Sequence, residues 1–249
     1  MTTGKLYNGV IMALPKLNDQ PKYDLVIPSS QQKIRYRPFL VKEEKVLLLA
    51  MESKDQNLIL SSILDTIEAC ILDPVDSSKF TTFDIEYCFT QIRSRSVGEV
   101  ANVLVKCQEC GHSNEHAIKL DDIKVVSEKE VSNIIQLTDD IQLELQYPSY
   151  KAMTTDKEIM AAEEGSAEAT FAMIRACMSA VLTEDARMDL ADESKAEVDA
   201  FVDSMTTSQL NMVKEYIEAM PKMTHDAKFT CVNCNHNNEV KLEGMQSFF

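Results

Sequence analysis

The sequence predicts an α+β fold made of two diverged repeats, each running strand, helices, strand, cysteine knuckle, strand, and related by a pseudo-twofold axis. Three observations predict it. The stretch KCQECGHSN at 106–114 has a near-copy in TCVNCNHNN at 230–238, each with a C-x2-C pair, a His two residues on and an Asn two beyond that. Upstream of each knuckle a Thr-Thr pair, Thr81-Thr82 or Thr206-Thr207, opens a segment with apolar residues at helical spacing. Further upstream, KIRYRP at 33–38 and IQLELQYP at 141–148 alternate apolar with polar residues and stop at proline, as strands do.

Residues 1–32 read as an extended N-terminal arm, with YDLVIPSS at 23–30 as a strand to be added to a sheet. The first repeat spans 33–126 and carries the knuckle 107–110. After its strand come helices with Leu60, Ile63, Leu64, Ile67 and Ile71 on one face, then the helix opened by Thr81. That helix has a basic end at Arg93 and Arg95 and is closed by Gly98, where cations suit the helix dipole. Strands at 100–106 and 116–121 flank the knuckle. A polar linker covers 127–140, and the second repeat, 141–245, carries the knuckle 231–234. Its helices are expected through Phe171, Ile174, Met178 and Leu182, then through Leu210, Met212, Val213 and Ile217, which align with Ile85, Tyr87, Cys88 and Ile92. Strands at 226–231 and 239–242 complete it. Cys70 and Cys177 fall at matching places and read as small buried hydrophobes.

Composition narrows the function. The net charge of −15 is concentrated in the second half, with 10 basic against 23 acidic residues over 125–249, compared with 15 against 17 before. Such a surface repels phosphate backbones, so no nucleic-acid partner is expected. Aromatic residues make up 6% of the chain and Trp is absent, which disfavours a sugar cleft or a base-stacking platform. No signal peptide or apolar run of roughly 18 residues is seen, so a cytosolic, membrane-free protein is expected. Ten of the 13 Met lie in the second half, where helical spacing makes them core filler, with an adaptable partner groove as the alternative.

Seven cysteines, two tight pairs and three singletons, fit metal binding in a reducing compartment better than disulfides. A C-x2-C turn presents two sulfurs from one bend, and four thiolates make a closed tetrahedral zinc site. A pseudo-twofold would bring the knuckles together, so Cys107, Cys110, Cys231 and Cys234 are the expected ligands of one structural Zn2+. The competing arrangement adds His112 and His236 in two separate sites, against the usual spacing of roughly three to five residues. A redox pair lacks the strand-to-helix setting, and two metal-free turns are the remaining alternative. No H-x-E accompanies the cysteines, and no Gly-rich phosphate loop, G-x-S-x-G or H-E-x-x-H occurs. The chain is therefore expected not to be an enzyme and to have no small-molecule substrate.

The ordered motifs IPSS (27–30), KIRYRPFLVKEEKVLLLA (33–50), FDIEY (83–87), IRSRSVGE (92–99) and CQECG (107–111) resemble the baseplate hub proteins of T4-type bacteriophages. The resemblance is specific over 25–125 and looser beyond. It implies a hub assembly factor, a chaperone or scaffold that binds hub proteins in the cytoplasm of the infected bacterium. The alternatives are a structural subunit retained in the virion and a zinc-ribbon nucleic-acid-binding regulator. No catalytic residue comes with the likeness. Arg35, Arg37, Pro38, Glu43, Glu44, Arg93, Arg95 and Gly98 match its motifs, and Arg35, Arg37, Arg93 and Arg95 are the candidates for partner contact.

Overall fold

The computed structural model describes residues 20–127, 129–155, 159 and 166–248, together with the paired fragments β1 (Leu6–Tyr7) and β2 (Val10–Ile11). It is a mixed helix-and-sheet protein, and its described residues form three apolar clusters. Of the arm expected over 1–32, residues 1–5, 8–9 and 12–19 lie outside the described residues. The remainder is folded: β3 (Tyr23–Val26) pairs antiparallel with β4 (Lys33–Tyr36), and Leu25, Ile27, Ile34 and Tyr36 are buried. Leu25 and Ile27 thus pack with the helices that follow residue 33. Alternation in β4 drives this, because Ile34 and Tyr36 face the core while Lys33 and Arg35 face water.

Helices α1 (Val41–Ser53) and α2 (Gln56–Cys70) follow, then α3 (Thr82–Ser96), and they cover the β3–β4 hairpin through Leu47, Ile63, Ile67, Ile85, Phe89 and Ile92. The N-terminus of α3 is a capping box in which Thr81 Oγ1 accepts from the Asp84 N–H and Asp84 Oδ2 accepts from the Thr81 N–H. Asp84 is fully buried and also accepts from the N–H and hydroxyl of Ser29 at 2.9 and 2.6 Å, tying the β3–β4 turn to α3. Strands β5 (Val100–Lys106) and β6 (Ser113–Lys119) then form the first knuckle hairpin, and β7 (Lys124–Val126) closes this half.

Within 127–140, the stretch expected to be a linker, Ile134–Gln136 forms β8, which pairs with β9 (Gln142–Leu145). Ile135 is buried there, and a turn at 138–140 joins two alternating runs, so 134–140 form one arm and the turn of a hairpin with β9. After α4 (Tyr150–Thr155) comes α5 (Ala167–Cys177), which carries Phe171 and Ile174 as expected but stops before Met178. Met178–Leu182 is instead β10, paired with β9 and with β11 (Arg187–Asp189) in a four-stranded antiparallel sheet ordered β11-β10-β9-β8. Met178, Ala180 and Val181 are buried in that sheet, whose pairing partner overrides the helical reading of a short apolar run.

Two capped helices, α6 (Lys195–Asp203) and α7 (Thr207–Glu218), pack on it, each opened by a capping box, Ser194 with Glu197 and Thr206 with Gln209. The second knuckle hairpin is β12 (Lys222–Thr230) and β13 (Asn237–Glu243). The halves interlock: β7 adds to the second hairpin, giving the order β13-β12-β7, and the penultimate residue Phe248 is buried with Ala101, Ile118 and Leu120 of the first. Cys70, Cys88 and Cys177 are buried, and burial pushes their thiols up, to about 11 for Cys70 and about 12 for Cys177. They are packing residues.

Candidate metal centre

The knuckles are the turns of the two long hairpins, closing the Lys106–Ser113 and Thr230–Asn237 pairs. They are built alike. The N–H of the first cysteine donates to the His carbonyl, Cys107 to His112 at 2.9 Å and Cys231 to His236 at 2.8 Å. The fifth residue turns back on the first, Gly111 to Cys107 and Asn235 to Cys231, both at 3.0 Å. That fifth position requires left-handed backbone, with φ of 70° at Gly111 and 58° at Asn235, and glycine and asparagine are the residues that adopt it most readily.

Two buried asparagines join the turns. Asn114 Nδ2 donates to the His112 carbonyl at 2.9 Å while its Oδ1 accepts from the Val232 N–H at 2.9 Å. Asn238 does the reciprocal, donating to the His236 carbonyl at 3.0 Å and accepting from the Gln108 N–H at 2.8 Å. Each amide thus satisfies its own turn and one orphan donor of the other. Sequence comparison places an Asn at this offset in both knuckles but does not reveal that it reaches across.

This arrangement brings all four knuckle cysteines together, with Cys107, Cys110, Cys231 and Cys234 Sγ within 4.8 Å of one another. Two of the pairs run between knuckles, Cys107 to Cys234 at 3.6 Å and Cys110 to Cys231 at 3.7 Å. A disulfide needs about 2.05 Å, whereas a tetrahedral ion with metal–sulfur bonds of about 2.3 Å sets its sulfurs about 3.8 Å apart. The cluster can therefore hold a metal ion. Cys107 and Cys231 are buried and Cys110 and Cys234 exposed, so the site lies at the surface end of the hairpins. His112 and His236 are exposed and contribute backbone carbonyls to the turns.

The electrostatics suit a cation. The N–H groups of Cys110 and Glu109 outweigh burial and lower the Cys107 thiol. Burial raises Cys231, but the N–H groups of Cys234 and Asn233, with Cys110 and the Asn114 amide, outweigh it and bring that thiol to about 6. At Cys234 the N–H of His236 is favourable, yet burial and three neighbouring sulfurs push the thiol to about 12. A cation among the sulfurs would offset the repulsion that raises Cys234. With four protein ligands, a tetrahedral ion here keeps no position for water.

The arginines proposed for partner contact lie elsewhere in the fold. Arg35 binds Asp73 at 2.5 Å, and Arg37 binds Glu43 at 2.8 Å and the carbonyls of Ala69 and Pro38. Arg95 pairs with Glu99 and with Asp121 at 3.1 Å, and its guanidinium lies over the Tyr23 ring. Arg93 is half-buried beside an apolar cleft between α1 and the end of α3. Among the described residues no helix is long and apolar enough to cross a membrane.

No curated protein and no solved structure matches the sequence. The family described as T4 bacteriophage base plate protein matches residues 20–249, nearly the whole chain and both cysteine knuckles. The chain belongs to the T4 bacteriophage base plate protein family.

Proposed function

We propose that this chain is a non-enzymatic assembly factor of the baseplate hub, a chaperone or scaffold that binds hub subunits in the cytoplasm of the infected bacterium. One structural Zn2+, held by Cys107, Cys110, Cys231 and Cys234, clasps its two halves. The carrying observation is that cysteines from hairpins more than a hundred residues apart converge to the dimensions of a closed four-thiolate site in a baseplate-family chain. Tetrahedral all-sulfur coordination suits zinc, and a closed site braces structure instead of activating water. Membership of a baseplate family implies interaction with other baseplate components.

The halves are read as diverged copies. Matching hydrogen bonds support this: Arg37 N–H to the Cys70 carbonyl and Gln146 N–H to the Cys177 carbonyl, then Leu120 N–H to Glu99 and Gly244 N–H to Met223. The β10–β11–α6 segment is an addition to the second copy. Duplication explains how one sequence makes two complementary knuckles, each incomplete as a metal site.

Co-expression with each hub subunit followed by affinity capture tests the assembly role, and a stoichiometric complex is expected with at least one of them. Failure with every hub subunit would sink it. Family membership equally favours a subunit retained in the virion, and mass spectrometry of purified particles separates the two, because a transient assembly factor is missing from the finished tail.

A further inference from the structure

Where the halves meet, a cavity of about 370 Å³ is lined by Glu86, Tyr147, Met153, Met173, Met220 and Lys222. Glu86 comes from α3 and the others from the second half. Its carboxylate is half-buried. Among the described residues its one hydrogen bond is a 3.3 Å contact from the Met245 N–H to Oε1, and no salt bridge reaches it. Lys222 shares the cavity, but its ammonium lies 3.7 Å from Glu243 Oε2. A carboxylate has acceptor sites for about four donors, so most of the capacity of Glu86 is unused within the fold. Burial raises its pKa, in keeping with a carboxylate that lacks a cation.

The remaining walls combine thioether, aromatic and proline surface with Thr81, Thr82, Gly244 and Glu243, the last of these paired with Lys222. Methionines adapt to a flexible aliphatic chain, and lysine and arginine bury their methylene stems while presenting a charged tip. We propose that this cavity is a receptor for one basic side chain of a baseplate partner, its alkyl stem lying among Met153, Met173 and Met220 and its cationic head meeting Glu86. Charge complementarity supports the occupant, since 23 acidic against 10 basic residues over 125–249 favour approach by a cationic surface. The donor's being another baseplate protein rests on the assembly reading above; the chemistry of the cavity does not.

The test uses the full-length protein with its methionine methyl groups labelled for NMR and two probes of equal length, n-pentylammonium and n-pentanol. The ammonium is expected to shift the methyls of Met153, Met173 and Met220 saturably and to bind about tenfold or more tightly than the alcohol, the scale of a charge-assisted hydrogen bond. Glu86→Gln should abolish that preference and keep the methyl spectrum of the free protein. Equal binding of the two probes to the wild type, no saturable shift at these three methyls, or a preference surviving in a folded E86Q would each overturn the proposal. The wild-type comparison decides even where E86Q fails to fold. A negative result leaves the assembly reading to the capture experiment, which does not depend on this cavity.

Discussion

Asn114 Oδ1 accepts the backbone N–H of Val232 at 2.9 Å, a side chain in the first knuckle holding the turn of the second. Asn114→Ala removes the acceptor and one of the two donors to the His112 carbonyl, which keeps the Cys107 N–H. It should cost about 1–3 kcal/mol, measured by urea denaturation. Asn238→Ala, its reciprocal, should cost a similar amount. A double variant should lose less than the sum of the single losses, because the two amides brace the same pair of turns. Strict additivity would mean that the turns are held independently.

Metal content gives the second prediction. Purified protein should carry one zinc per chain, and Cys107→Ser or Cys231→Ser should each release that same equivalent and lower Tm, because binding energy at such a site is folding energy. Two equivalents lost independently would indicate separate sites.

Asp84 should matter more than any exposed acid. Its buried carboxylate accepts from Ser29 and from the cap residue Thr81, joining the β3–β4 turn to α3. Asp84→Ala is expected to cost about 3 kcal/mol, roughly 6–12 °C in Tm for a chain of this size. An effect below about 1 kcal/mol would show that the turn is held by packing alone.

Glu43 predicts a pH dependence. Burial raises its carboxyl, but the Arg37 guanidinium, the Leu40 N–H and Lys42 outweigh that and hold it below the ordinary value of 4.5. A depressed folded pKa adds stability that is complete above 4.5 and is lost as the pH falls through the lower folded value. Glu43→Gln should therefore destabilise at pH 7 by about 1–3 kcal/mol and flatten that acid-side loss. Denaturant titrations from pH 7 to pH 3 measure both.

Phe248, 1% exposed, fills the cluster that joins the two knuckle hairpins. Phe248→Ala should cost about 3–5 kcal/mol. Calorimetry of the variant checks it, and a change within error would place the joint elsewhere.

Sequence alone determined the features whose physics is local. Thr81 and Thr206 are caps because their own next residues supply the donors, β4 and β9 alternate because each has one wet face, and a C-x2-C turn folds from its own hydrogen bonds. The tertiary structure alone decided the rest. Ile134–Gln136 and Met178–Leu182 are strands because β9 lies between them, and a short apolar run carries no preference strong enough to announce that partner. The β7–β12 pairing, the crossed asparagines and the cavity at Glu86 each need groups brought together from distant parts of the chain. Periodicity within one segment holds no information about which distant segment will supply the missing donor, acceptor or wall.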